Sequence, residues 1–224
     1  MARNVGRPRV DKTNKSTNTR ELIMDAATEL FTTQGYAMTS THEIAEVAGV
    51  RQASMYYYFP SKSALLLTLL KTTMQPARDL SRALRESDLS DEQKLWTLVA
   101  SEARQLLSTR WNVGQLYSIP TAYTEEFAEF HQLRKRMREE FENISARIVG
   151  EWDLRRTLPF QLAVSVTAMR PNSGTVPRVL RPDSLPKEAR IVADAALDVL
   201  HAEKPEDREP VTLALLAELE RKEK

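Results

Sequence analysis

The chain contains no cysteine, and this single absence removes several kinds of site. Disulfide bridges, thiolate metal ligands and cysteine nucleophiles are all excluded. Glycine is also scarce, with six residues among 224, and no stretch alternates polar and apolar residues over the length of a useful strand. An all-α protein is therefore the simplest interpretation of the composition.

Long apolar runs are missing as well. No run approaches the ~20 residues that a membrane span needs, and the N-terminus lacks the apolar core of a signal peptide. We therefore expect a cytoplasmic protein with no membrane partner. With 42% hydrophobic and 28% charged residues, the chain can bury a sizeable core, as one small and one larger domain or as one elongated domain.

The most distinctive segment runs from Ser40 to Lys62 and predicts two short helices joined by a sharp turn. Ser40 and Glu43 form a capping box, and Gly49 provides the corner between the helices. The second helix, residues 52–58, carries five polar-tipped side chains, which is too many for a core element. The pattern indicates a helix-turn-helix, whose second helix suits the polar base edges and phosphates of a DNA major groove.

This segment resembles the TetR-type transcriptional regulators. Their pattern has an apolar first helix ending in Gly and an aromatic residue, then T-x-x-I-A-x-x-A-G-V, then L-Y-x-[HY]-F-x-[SN]-K-x-x-L. The same order occurs here at Gly35-Tyr36, residues 41–50 and residues 55–66. Two positions depart from the pattern: Arg51 stands where the family often has a capping Ser, and Ser63-Ala64 stand where a Lys-Glu pair is common.

The resemblance implies an all-α fold with an N-terminal three-helix helix-turn-helix DNA-binding domain and a C-terminal helical bundle for regulation and dimerisation. We expect a basic disordered arm at residues 1–18, the DNA-binding domain at 19–66, and the effector-binding and dimerisation domain at 67–224. Residues 75–224 contain no motif specific to the family. The function implied is a repressor that an unknown small-molecule effector releases from its operator.

By the same resemblance, the DNA contacts fall into two groups. The side chains expected to hold phosphates are Thr41, Ser54, Tyr56 and Lys62, and those expected to approach base edges are His42, Gln52, Ala53 and Tyr57. The chemistry agrees, because hydroxyls and an ammonium suit phosphate oxygens, and a glutamine can pair bidentately with adenine. Of the tyrosines at 56–58, one is expected to pack against the first helix, and so is Phe59.

One recognition helix reads too few base pairs to find a single site in a genome. We therefore expect a homodimer on a near-palindromic, double-stranded operator. The family's interface maps to residues 159–170 and 187–201. The alternative is that these helices close the core of a monomer.

The net charge of +1 hides an uneven distribution. Residues 1–20 carry six basic side chains and one acidic one, so they contribute +5 and the rest of the chain sums to −4. Such a segment neutralises DNA phosphates. Its Gly6-Arg7-Pro8-Arg9 is similar to the core of an AT-hook, which lies in a narrow minor groove. Minor-groove insertion of Arg7 and Arg9 and simple attraction to phosphates both stay open.

Periodicity predicts further helices at about residues 19–34, from 61, at 90–108, 124–155, 159–170 and 187–201, and after 210. Pro76 should break or kink the fourth helix. The ligand-pocket candidates are aromatic or polar residues between these helices: Trp96, Arg104, Trp111, Asn112, Tyr117, Phe127, Phe130 and Arg134. Most aromatic members of such a set are plain core. Arg134 interrupts the apolar stripe of the helix predicted at 124–155. Its guanidinium should therefore form an ion pair, reach water, or face a polar ligand.

Two other functions compete with this interpretation. An enzyme is disfavoured, since His42, His131 and His201 lie far apart and neither G-x-S-x-G nor a phosphate loop occurs. We therefore expect no catalytic residues, metal or cofactor. A nonspecific DNA-binding protein that uses the basic arm remains open, and it would bind all sequences with a steep salt dependence.

Overall fold

The structure is a computed structural model that describes residues 12–170 and 184–222, with side chains from residue 18 onward. The described part is helical and contains no strand, so the predicted all-α class is confirmed. The chain divides into two compact units, Met1–Leu66 and Leu67–Lys224. Among the described helices, none is both long and apolar enough to cross a membrane.

From residue 12 onward, the first unit contains three helices and the start of a fourth. These are α1 (Lys12–Leu30), which continues as a π-helical turn (Phe31–Gly35), α2 (Thr41–Val47), α3 (Gln52–Tyr58) and α4 (Lys62–Arg85). Its core consists of fully buried apolar side chains from each helix: Ile23, Ala27, Phe31, Ile44, Ala45, Met55, Phe59, Leu65 and Leu66.

The first helix begins earlier than the periodicity predicts. The expected disordered arm reached residue 18, but α1 starts at Lys12, so the prediction is wrong for residues 12–18. The apolar repeat of this helix begins only at Leu22, and a polar first stretch therefore gives no periodic signal. Residues 1–11, including Arg7 and Arg9, lie outside the described residues.

Helix α4 continues through Pro76, which excludes the first of the two predicted alternatives, a break, and the second, a kink, stays a prediction. A proline inside a helix has no N–H for the carbonyl four residues earlier, here that of Thr72. Thr72 is exposed, so its carbonyl has access to solvent. The opposite side of α4 is apolar and buried, which holds the helix together across the proline: Leu70, Met74, Ala77, Leu80 and Leu84.

The second unit continues with α5 (Asp91–Ser108), α6 (Ala128–Val149), α7 (Leu158–Ser165), α8 (Lys187–Val199) and α9 (Arg208–Lys222). Short 3-10 turns occupy Val113–Ser118, Pro120–Tyr123, Glu125–Phe127 and Leu154–Thr157. Helix α6 is shorter than predicted because Gly150 ends it with φ +100°. Helix α7 is also shorter, since the chain turns at 166–168.

Helix α5 is the centre of this unit, because it packs against α6, α7, α8 and α9. It begins as predicted, with Ser90 accepting the Gln93 N–H. At its other end, Arg170 donates hydrogen bonds to the carbonyls of Leu106, Thr109 and Arg110. A cation suits a helix C-terminus, whose last carbonyls have no intrahelical donors.

Candidate nucleic-acid interface and internal cavity

Helix α2 starts at the capping box that the sequence predicts. The Glu43 N–H donates to the Ser40 hydroxyl at 3.1 Å, and the Ser40 N–H donates to Glu43 Oε2 at 2.7 Å. Two hydrogen bonds lower the pKa of Glu43, and the one with the Ser40 backbone N–H has a larger effect than the one with the Ser40 hydroxyl. Gly49 has φ +67° and turns the chain after α2. These features fix the angle at which the chain enters α3.

Helix α3 is held from one side only. Met55 and Phe59 are buried, and the Arg20 guanidinium of α1 lies 5.3 Å from the centre of the Phe59 ring. Arg51 precedes the helix and makes no side-chain cap, yet its carbonyl accepts from the N–H groups of Ser54 and Met55. The helix therefore begins at Gln52, as the motif predicts, even without a capping serine.

The outward side of α3 carries four exposed residues at helical spacing: Gln52, Ala53, Tyr56 and Tyr57. Tyr57 is 82% exposed, which is unusual for a large aromatic side chain without a partner molecule. Its ring lies edge-on to that of Tyr58 at 5.1 Å. His42 of α2 is exposed too, whereas Ser54 is half-buried. The DNA contacts of these side chains stay predictions.

Two predicted phosphate ligands, Thr41 and Tyr56, join the helices of the motif. Their hydroxyl oxygens lie 2.9 Å apart and share a hydrogen bond at the protein surface. The pair places two hydroxyl groups from different helices side by side. Such a pair can donate to a single phosphate oxygen.

Lys62 has a structural role that the motif does not reveal. Its ammonium donates to the carbonyl of Tyr36 at 2.9 Å and to that of Thr39 at 2.7 Å, and it lies 4.4 Å from the centre of the Tyr36 ring. These contacts tie the start of α4 to the loop before α2. An ammonium has three donors, so one is left for the phosphate that the sequence predicts.

A cavity of about 280 Å³ lies in the second unit, with walls from α4, α5, α6 and α9. Its apolar lining comes from these helices: Pro76, Ala77, Leu80, Leu98, Phe141, Leu216 and Leu219. Its polar lining is Asp79, Ser101, Glu102, Arg104, Gln105, Ser108 and Glu220. Of the eight predicted pocket residues, only Arg104 is in this lining.

The other seven predicted pocket residues lie elsewhere, mostly in the packed core. Trp96 donates from Nε1 to Asp194 at 2.7 Å, and Asn112 donates to the carbonyls of Thr167 and Arg170. The remaining five are four buried aromatic side chains and one half-buried guanidinium: Trp111, Tyr117, Phe127, Phe130 and Arg134. The sequence pattern does not indicate Glu102, because a carboxylate inside a helix that is apolar on several sides interrupts no one-sided apolar stripe.

Arg134 interrupts the apolar stripe of α6, and its side chain packs over an aromatic ring. Its guanidinium lies 4.8 Å from the centre of the Tyr117 ring. Within the described ranges Arg134 forms no ion pair, although its positive charge acts to lower the pKa of Glu102. Burial raises the pKa of Glu102 to about 7, and the attraction of Arg134 offsets only part of this effect.

Comparison with known proteins agrees with this architecture. A family model described as "Bacterial regulatory proteins, tetR family" matches residues 23–69. The curated transcriptional regulator TtgR of Pseudomonas putida is 30% identical over 121 residues, which are 52% of this chain and 57% of TtgR. The match thus spans little more than half of that regulator.

Solved structures extend the likeness to almost the whole chain. The crystal structure of Mycobacterium smegmatis AmtR is 33% identical, with a TM-score of 0.76 over 94% of this chain and 96% of AmtR. The transcriptional regulator FadR of Bacillus subtilis, solved in complex with stearoyl-CoA, shares the fold at 20% identity, with a TM-score of 0.60 over 80% of this chain and 96% of FadR. With this similarity and the helix-turn-helix geometry together, the chain belongs to the TetR family.

Proposed function

We propose that the protein is a transcriptional repressor that binds a near-palindromic operator as a homodimer and is released by a small molecule. The observation that carries the proposal is the outward side of α3, where polar side chains are exposed on a helix anchored by Met55 and Phe59. This arrangement suits insertion into a major groove. Operator binding would take place in the cytoplasm, beside the chromosome.

The decisive experiment is fluorescence anisotropy of duplexes that tile the DNA beside the protein's own gene, titrated with the protein at two salt concentrations. A scrambled duplex is the control. Tight binding to one tile, with two protein chains per near-palindrome, supports the proposal. Equal and salt-sensitive binding to every tile would instead favour the nonspecific DNA-binding protein.

Replacing Gln52 with alanine is expected to relax sequence preference at one base pair. Gln52 is exposed at the first turn of α3, and a bidentate contact to a base contributes roughly 1–3 kcal/mol of discrimination. The measurement is operator affinity for all single-base substitutions of the identified site. Tyr56→Phe is the comparison, because it removes a hydroxyl expected to contact phosphate and should weaken binding to all sequences. An unchanged base preference in Gln52→Ala would contradict the orientation assigned to α3.

The proposed dimer uses residues 159–170 and 187–201. One side of α8 is internal, since Val192 and Ala196 pack inside the unit. The opposite side of α8 exposes Ile191, which is 57% accessible, and Leu158 at the start of α7 is 41% accessible. Exposed apolar side chains on the two helices support an interface there.

Ile191→Asp is expected to convert the dimer into a monomer, because a carboxylate at the interface would lose its hydration without gaining a partner. Sedimentation velocity measures the change. Met38→Asp is the matched control, since Met38 is a larger and more exposed apolar side chain outside both stretches. A dimer that persisted in Ile191→Asp would place the interface elsewhere.

A direct contact links the cavity to α4. Gln105 lines the cavity and donates from Nε2 to the Thr73 carbonyl at 2.6 Å, three residues before Pro76. A ligand that displaces the Gln105 side chain would remove its hydrogen bond to α4 close to Pro76. Because α4 begins with Lys62 and includes Leu65–Leu70, we propose that this helix transmits the change to the DNA-binding unit.

A further inference from the structure

The cavity of the second unit contains a carboxylate in an unusual environment. Glu102 is only 4% exposed, and its Oε2 has no hydrogen-bond partner among the described residues. The hydroxyl of the adjacent Ser101, which also lines the cavity, is buried without a partner in the same part of the chain. Buried polar atoms without partners cost free energy, and native proteins contain few of them. Two such atoms in one cavity wall indicate a site that a ligand completes.

The charges around the cavity determine which ligand fits. Among the described residues, its lining contains three carboxylates, Asp79, Glu102 and Glu220, and one cation, Arg104. Arg104 is already engaged, since its guanidinium lies 3.5 Å from Glu220 and donates to the Ser184 carbonyl. The lining therefore has an excess of negative charge, which attracts a cation and repels an anion.

The groups facing Glu102 from the neighbouring elements compensate its charge only in part. Tyr117 donates its hydroxyl to Thr73, and the Arg134 guanidinium lies over the Tyr117 ring, so neither bonds the carboxylate. Burial dominates the balance and raises the pKa of Glu102 to about 7. A ligand cation would replace the hydration that this carboxylate lost on folding.

We infer that the cavity binds a small organic ammonium ion, whose N–H groups donate to Glu102 and Ser101 while its apolar body packs against the aliphatic and aromatic wall. The inference rests on the proposed function, in which this cavity holds the effector. Its volume of about 280 Å³ is at the lower limit of ligand pockets, which range over roughly 300–1,000 Å³. The ligand is therefore compact, with a body about the size of one aromatic ring.

Calorimetric titration with three compounds of nearly equal shape tests the charge requirement. The probes are benzylamine, benzyl alcohol and benzoate, each titrated into the full-length protein at pH 8. Benzylamine is expected to bind, benzyl alcohol to bind at least about tenfold more weakly, and benzoate not to bind. Benzoate binding as tightly as benzylamine would overturn the inference, and so would a lack of benzylamine binding at millimolar concentrations.

Two variants assign the binding to Glu102. Glu102→Gln keeps the shape of the side chain and removes its charge, so benzylamine affinity should fall at least about tenfold. Glu129→Gln is the matched control, because it makes the same chemical change at an exposed carboxylate that is outside the cavity lining and pairs with Lys71. Its affinity should stay within a factor of about two to three. Circular dichroism confirms that both variants are folded, and unchanged benzylamine affinity in Glu102→Gln would overturn the assignment.

Operator binding, measured in parallel, separates the inference from the proposed function. Tight operator binding without any benzylamine binding overturns the inference alone. Benzylamine binding that depends on Glu102 supports the chemistry of the cavity, even if the protein binds no specific DNA. In that case the proposed function is contradicted, while the ammonium-binding site at Glu102 is supported.

Discussion

Replacing Glu102 with glutamine is expected to stabilise the protein by about 3 kcal/mol at pH 8, but by less than about 1 kcal/mol at pH 5. Burial raises the pKa of this carboxyl from its ordinary 4.5 to about 7 in the folded state. Between these two values the folded chain holds the proton more tightly than the unfolded chain does. The free energy of unfolding of the wild type therefore falls as the pH rises from 4.5 to 7, and glutamine removes this loss.

Urea denaturation followed by tryptophan fluorescence measures the effect. All three tryptophans, Trp96, Trp111 and Trp152, belong to the second unit, so their emission reports its unfolding. Asp79→Asn is the control, since Asp79 is half-exposed and its replacement should change stability by less than about 0.5 kcal/mol at either pH. Equal stabilisation by Glu102→Gln at both pH values would show that the buried charge is not the cause.

Lys62→Met is expected to destabilise the first unit by about 3 kcal/mol and to weaken binding to every DNA sequence. The substitution removes two hydrogen bonds from an ammonium to the carbonyls of Tyr36 and Thr39, together with the contact over the Tyr36 ring. Hydrogen bonds to charged groups contribute about 1.5–3 kcal/mol each, and a cation–π contact adds about 0.5–1 kcal/mol, so 3 kcal/mol is a conservative sum. Hydrogen exchange of the α2 and α3 amides measures the loss.

Lys71→Met provides the control on the same helix. Lys71 forms an ion pair with Glu129 at 2.6 Å, but both side chains are more than one-third exposed, and such pairs contribute little. Amide exchange in α2 and α3 should therefore match the wild type. If Lys62→Met reduced DNA affinity while leaving exchange unchanged, Lys62 would act only as a phosphate ligand.

The sequence predicts the DNA-binding unit well because its signals are local. The Ser40–Glu43 capping box and the Gly49 turn each involve residues within a few positions of one another, and the structure has both. The Ser90 cap of α5 is equally local. Hydrogen bonding and backbone conformation at this range depend little on the rest of the chain.

The cavity was not predictable in the same way, because it depends on how distant helices pack. Aromatic residues such as Trp96 and Phe130 were natural pocket candidates, yet both fill the core. The sequence pattern does not distinguish Glu102 from its neighbours. Helix α5 is buried on all sides, so a carboxylate there does not interrupt a one-sided apolar pattern. The choice between a break and a kink at Pro76 depends on packing in the same way: burial of the opposite side of α4 outweighs the loss of one backbone hydrogen bond, so the helix continues.

The burial of α5 on all sides also bears on how this protein can evolve. Leu95 and Val99 support the core, and Glu102, which follows them by seven and three residues on the same side of the helix, contributes to the cavity. A mutation on α5 that changes ligand preference therefore also changes the free energy of unfolding, which is small in natural proteins. The half-exposed positions on the α4 and α9 walls carry no such burden, for example Asp79 and Leu219. New specificities should accumulate first on those walls, while α5 changes last.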